Sequence, residues 1–118
     1  MTRPWTRDEA IELCRAIEGI CPEFGCHVAL TGGLLYRYGD RKDADILFYR
    51  VRQVPEIDVA GLFGALAKIG VSVTGIPGGW VIKATWRGKP IDCFFPEVPS
   101  GDYPVAAPSV EAIAELAP

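Results

Sequence analysis

The residues best suited to chemistry lie in three short stretches: Gly32-Gly33, then Asp43-Ala44-Asp45-Ile46, then Asp92 within Ile91-Asp92-Cys93-Phe94-Phe95. A glycine pair after the apolar run from Cys26 to Leu30 should end a strand in a tight turn whose amides can face phosphate. Asp43 and Asp45, two residues apart at the start of the next strand, project to one side, where they can share a divalent cation. Asp92 is alone in an otherwise apolar strand, an expensive place for a carboxylate unless a cation or hydrogen-bond donors meet it. If its strand lies beside the one that Asp45 opens, the three acids converge and repel one another. Magnesium relieves that repulsion, because it prefers a few carboxylates together with phosphate oxygens and waters. The chemistry described is that of a nucleotide and its phosphates.

Several elements must position these residues. Thr6 and Glu9 form a capping box, and Ala10, Ile11, Cys14 and Ile17 follow at helical spacing, which predicts an amphipathic helix over 7–18 ended by Gly19 and Pro22. His27 to Thr31 reads as a short buried strand, and Leu34 to Tyr38 as one or two helical turns stopped by Gly39. Ala44 to Val51 is apolar on both faces, the pattern of a central strand. Val59, Leu62, Phe63, Leu66 and Ile69 predict a second helix over 58–69, capped by Asp58 and closed by Gly70. Three strands follow, 71–76, 80–86 and 90–95, with Pro77-Gly78-Gly79 and Arg87-Gly88-Lys89 as turns, so the last two form a hairpin. A Pro-rich segment, 96–108, precedes a short C-terminal helix, 110–116, capped by Ser109. The expected fold is α+β, an α/β two-layer arrangement with helices packed on a mixed sheet of four to five strands.

With 118 residues, 49% hydrophobic and 23% charged, the chain is expected to be a single globular domain, 1–118. A net charge of −3 argues against a dedicated nucleic-acid binder, which would carry a basic stripe, but not against a nucleotide. No apolar run approaches the roughly 20 residues that span a bilayer. The polar stretch Met1 to Asp8 lacks a signal-peptide core, so a cytoplasmic location with no membrane partner is expected. Cys14, Cys21, Cys26 and Cys93 contain no C-x-x-C pair and read as reduced, half-buried thiols, and His27 as a packed or edge residue.

In order and spacing, Thr31-Gly32-Gly33, Asp43-Ala44-Asp45-Ile46 and Ile91-Asp92-Cys93 resemble the signature of the polymerase-beta-type nucleotidyltransferase superfamily. That signature is a small glycine turn, a D-h-D/E-h strand some ten residues on, and a third acid on a later strand. The resemblance spans 26–95, the extent of a catalytic core. It implies Asp43, Asp45 and Asp92 as the catalytic, metal-binding acids, with Asp45 bridging two Mg2+ (or Mn2+) ions and Asp92 orienting the acceptor. It implies Thr31, Gly32 and Gly33 at the triphosphate, with Arg41 and Lys42 as nearby nucleotide-binding cations. The implied reaction moves a nucleoside monophosphate from a nucleoside triphosphate, ATP by expectation, to a hydroxyl or phosphate oxygen of a small molecule, a protein or an RNA end. Most members carry a further domain that binds the acceptor, so a helical partner protein or a second copy would supply that wall here. The alternative is a non-catalytic nucleotide-binding or antitoxin-type module of the same fold.

Each stretch taken alone also has a plain explanation. Gly32-Gly33 could be an ordinary turn, Asp43 and Asp45 solvated acids at a strand's start, and Asp92 the partner of Lys89 or Arg87 across the hairpin. Lys83, Arg87 and Lys89 are further cations in reach, normally solvated surface. Trp80 and Trp86, six residues apart, would share one side of a regular strand and read as core more readily than as a base-stacking surface. Tyr36 and Tyr38 flank the glycine turn.

Overall fold

A computed structural model describes residues 3–37, 39–78 and 80–98 of the chain. The C-terminal helix and nearly all of the Pro-rich segment expected from the sequence lie outside the described residues, as do Tyr38 and the side chain of Tyr36.

The first helix, α1 (Arg7–Glu18), starts at the predicted capping box: the Thr6 hydroxyl accepts the Glu9 amide and the Glu9 carboxylate accepts the Thr6 amide. Ala10, Leu13 and Ile17 are its buried stripe. A 3-10 turn, Cys21–Phe24, leads to β1 (Cys26–Thr31), and a single helical turn, α2 (Gly33–Tyr36), follows the glycine pair. Next come β2 (Ala44–Arg50) and α3 (Val59–Leu66), which tightens into a 3-10 turn over Ala67–Ile69 before Gly70 ends it. The sheet is completed by β3 (Ser72–Gly78), β4 (Val81–Trp86) and β5 (Lys89–Phe94).

The five strands form one mixed sheet in the order β1-β2-β5-β4-β3, in which β2 and β5 run parallel and the other neighbours antiparallel. The expected α+β, two-layer arrangement is the observed one, and β2 is central as its two apolar faces require. β1 corrects an expectation: it is an edge strand, with only Cys26 fully buried, because it has a single neighbour. Glu18 blunts this edge by accepting the Val28 amide at 3.0 Å and meeting His27 Nδ1 at 2.6 Å. A second correction concerns Pro77-Gly78, which prolongs β3 instead of turning the chain. β3 is the opposite edge, so a proline amide is not missed there, and the strand's pairing to β4 shifts register twice. The β4–β5 turn has only two residues, Arg87 and Gly88, with φ of 53° and 77°, the two positive values that a type I′ hairpin demands.

One face of the sheet makes the core. Ala44, Ile46 and Phe48 of β2, Ile91 and Cys93 of β5, and Ile82, Ala84 and Trp86 of β4 are buried with the inward stripes of α1 and α3. Phe48, Phe63 and Phe95 meet with ring centroids 4.5–6.3 Å apart. Trp5 lies parallel to Trp86 at 6.0 Å, donates its indole N–H to Pro90 O at 2.6 Å, and is fully buried. Burying each such large side chain contributes about 1.5–3 kcal/mol. Trp80 and Trp86 therefore do not share a surface: Trp86 is core, while Trp80 precedes β4 and is 54% exposed. The thiols need the same refinement, since Cys21, Cys26 and Cys93 are fully buried and only Cys14 is half-buried.

Candidate active site

Asp45 opens the outward-facing series of β2, alternating with the buried Ala44, Ile46 and Phe48. The register sets its neighbours. Thr31 of β1 stands opposite Asp45, Asp45 opposite Asp92 of β5, and Asp92 opposite Lys83 of β4. Cross-strand partners share a face, so Thr31, Asp45, Asp92 and Lys83 form one row across four strands on the face away from the core. Parallel pairing of β2 with β5 is what places two acids from residues 47 positions apart side by side.

The glycine turn closes the β1 end of this row. Gly32 has φ 69° and ψ −153°, a region open essentially to glycine alone. A Cβ on Gly32 would stand 2.0 Å from Asp45 Oδ2 and 2.9 Å from Asp45 Cβ. On Gly33 it would meet Arg41 Nε at 2.9 Å. The two glycines thus let a turn press against a carboxylate on one side and a guanidinium on the other. Two residues outside the expected site pin this turn. Arg7 donates from Nε to Leu34 O at 2.6 Å and from Nη2 to Leu35 O and Arg37 O, both at 3.2 Å, holding the end of α2. Trp5 exchanges both backbone hydrogen bonds with Arg41, tying the loop before β2 to the core.

The electrostatics follow from this crowding. Burial raises the Asp45 carboxyl above the ordinary aspartate value; the charges of Asp92 and Asp43 and a hydrogen bond to Asp92 raise it further, and Lys83 opposes them. Lys83 Nζ lies 2.6 Å from Asp92 Oδ1, and that bond raises the lysine above its own ordinary value. A bridge from Asp92 to Lys89 or Arg87, the plain alternative for this acid, does not form. Lys89 is buried against Glu9 and Arg87 pairs with Glu12 while lying 3.9 Å over the Trp86 ring. Among the described residues, the Nε of Arg41 is a buried polar atom without a hydrogen-bond partner.

Asp43 immediately precedes β2, and its charge, like that of Asp92, reaches Asp45. Thr31, Gly32 and Gly33 border it, Arg41 leans on Gly33, and Lys42 is exposed. Among the described residues, no three His, Cys, Asp or Glu side chains are gathered so as to hold a metal ion as they stand; Lys83 holds one Asp92 oxygen. The donor chemistry nevertheless fits a hard divalent cation. It is all carboxylate, burial and then the neighbouring acidic charges raise the Asp45 carboxyl, and Asp92 already draws in the Lys83 ammonium. No helix among the described residues is long and apolar enough to cross a membrane.

No family model and no curated protein matches the sequence significantly. Solved structures do match by fold. A cytoplasmic RNA terminal U-transferase aligns over 75% of this chain and 28% of its own, at 14% identity and a TM-score of 0.59. Leishmania infantum polymerase beta, in a ternary P/T complex, aligns over 80% of this chain and 43% of its own, at 12% identity and a TM-score of 0.55. The chain shares the fold of these two solved structures, as the sequence resemblance implies, and spans less than half the length of either.

Proposed function

We propose that this chain binds a nucleoside triphosphate with divalent metal and transfers its nucleoside monophosphate to an acceptor oxygen. In that reaction the acceptor's hydroxyl or phosphate oxygen forms a bond to the alpha phosphorus, the alpha–beta phosphoanhydride bond breaks, and pyrophosphate leaves. The observation that carries the reading is the pairing of Asp45 with Asp92 across parallel strands, directly beneath the Gly32 turn. Asp43, Asp45 and Asp92 would hold Mg2+ or Mn2+, which supplies charge stabilisation to the entering and leaving oxygens when bound. Asp92, on the far strand of the pair, would orient the acceptor and take its proton. The Gly32-Gly33 turn would receive the triphosphate, and the unpartnered Nε of Arg41 beside Gly33 is a donor suited to a phosphate oxygen. ATP is the expected nucleotide. The acceptor's binding wall would come from a partner protein or a second copy; the match covers only 28% and 43% of the two fold neighbours' own lengths.

Thermal unfolding with each nucleoside triphosphate, with and without Mg2+, tests the reading on the native chain and on Asp45→Asn. A rise in melting temperature that needs both nucleotide and metal and disappears in the variant is expected; at 100 times the dissociation constant it corresponds to about 2.7 kcal/mol. No rise with any triphosphate overturns the proposal.

A further inference from the structure

Lys83 is the one residue of the cross-strand row that the proposed reaction leaves without a task. Its position is built rather than incidental. The two-residue turn at Arg87-Gly88 sets it directly opposite Asp92, and its ammonium reaches the carboxylate at 2.6 Å. The pair is asymmetric: the Lys83 side chain is 48% exposed and that of Asp92 only 16%. The carboxylate is fixed in the sheet while the ammonium, on a flexible four-carbon stem, can leave for water without moving the backbone. Lys83 also lies in the combined field of Asp92, Asp43 and Asp45, so it offsets the charge of the whole cluster and not of one partner. The neighbouring hairpin cations are committed elsewhere, Arg87 to Glu12 and Lys89 to Glu9, and do not substitute for it.

We propose that Lys83 is the built-in counter-ion of the acid cluster, and that a divalent cation binds by displacing its ammonium from Asp92. The inference rests on the reading of Asp43, Asp45 and Asp92 as the metal-holding acids. It assigns Lys83 a positioning and gating role. In the metal-free protein it keeps Asp45 and Asp92 from forcing each other apart, and it sets how much metal is needed to load the site. An ammonium and a hydrated divalent ion compete for the same Asp92 oxygen.

The test is Mn2+ binding, followed by titration of the metal's electron paramagnetic resonance signal, on the full chain without nucleotide. Lys83→Met should bind Mn2+ at least about tenfold more tightly than the native protein, since a competing unit charge at contact distance is removed. Lys83→Arg, which keeps the charge, should stay within about threefold of native. Metal-free Lys83→Met should melt below the native protein, and Mn2+ should restore it. Native binding with equal or weaker affinity in Lys83→Met overturns the gating role and leaves the metal site standing. Absence of Mn2+ binding in both proteins removes the metal site and the gating role together. A second measurement needs no variant: acylation of Lys83, read by mass spectrometry against the exposed Lys68, should increase when Mg2+ is added to the native chain. An unchanged ratio also overturns the proposal.

Discussion

Replacing Gly32 with alanine probes the contact on which the site is built. Two costs arise from one methyl group. The backbone at φ 69°, ψ −153° is essentially glycine-only, and holding an alanine there costs about 1–3 kcal/mol. The new Cβ would also stand 2.0 Å from Asp45 Oδ2 and 2.8 Å from its Cγ, so the carboxylate must swing away from its place in the row. At about 4 °C per kcal/mol for a domain of this size, the strain alone should lower the melting temperature by about 4–12 °C. The clash adds a second signature, loss of Mn2+ affinity, because the displaced residue is the central acid. A double-mutant cycle separates the two. Asp45→Ala removes the Oδ2 and Cγ contacts, so Gly32→Ala should cost less in that background, with a coupling of about 1 kcal/mol or more. A melting temperature within 1–2 °C of native would refute the backbone argument, since the strain has no other outlet. Additive effects with unchanged metal affinity would refute the idea that Gly32 exists to admit Asp45.

Four further outcomes follow from the same structure. Asp45 is raised above its ordinary value by burial and by its acidic neighbours, so its protonated form is favoured in the fold; the associated stability is complete below the ordinary value of 3.8 and is lost as pH rises through the higher folded value. Metal-free Asp45→Asn should therefore melt above the native protein at pH 7 and converge with it near pH 4, and parallel curves across pH would refute the assignment. Trp5→Phe deprives Pro90 O of its donor and shrinks a fully buried ring, which should cost about 2–4 kcal/mol in urea unfolding; a loss under about 0.5 kcal/mol would contradict the packing. Trp80→Ser should change stability by less than about 0.5 kcal/mol and abolish most iodide quenching of fluorescence, because Trp5 and Trp86 are buried. Native thiols should resist Ellman's reagent at pH 8, with Cys21, Cys26 and Cys93 buried and Cys14 pushed up to about 11 by burial, and all four should react on unfolding.

Local patterns carried most of the fold. The capping box of α1, the apolar spacing of α3 and the two-faced β2 each encode their structure in neighbouring residues, and these elements stand where the sequence places them. What failed was decided by sheet position. Whether the stretch from Cys26 to Thr31 is buried depends on how many strands flank it, and no property of those six residues reports that number. Pro77 reads as a turn residue and is tolerated within β3 only because β3 is an edge. Trp80 and Trp86 would share a side on a regular strand, but the strand begins one residue after Trp80.

The site divides along the same line. Asp45 and Asp92 stand out because each breaks the pattern of an apolar strand, a local signal, and Asp43 stands out only by its spacing from Asp45. Their convergence depends on the parallel contact of β2 with β5, which places Asp45 opposite Asp92. Lys83 was partly legible: a type I′ turn confined to Arg87-Gly88 forces Trp86 opposite Lys89 and, three pairs further, Lys83 opposite Asp92. Counting Lys89 into the turn loses that register and leaves Lys83 as only one of three hairpin cations in reach. Arg7 and Trp5 gave no signal, since their work is done on carbonyls and a loop about 30 residues away in sequence. The glycine pair is the instructive case. As the cause of the pair, the sequence suggests a turn whose amides face phosphate. The nearer cause is that Asp45 Oδ2 and the Arg41 side chain occupy the places where the two Cβ atoms would be. Two adjacent glycines thus admit an acid on one flank of the turn and a guanidinium with an unpartnered nitrogen on the other.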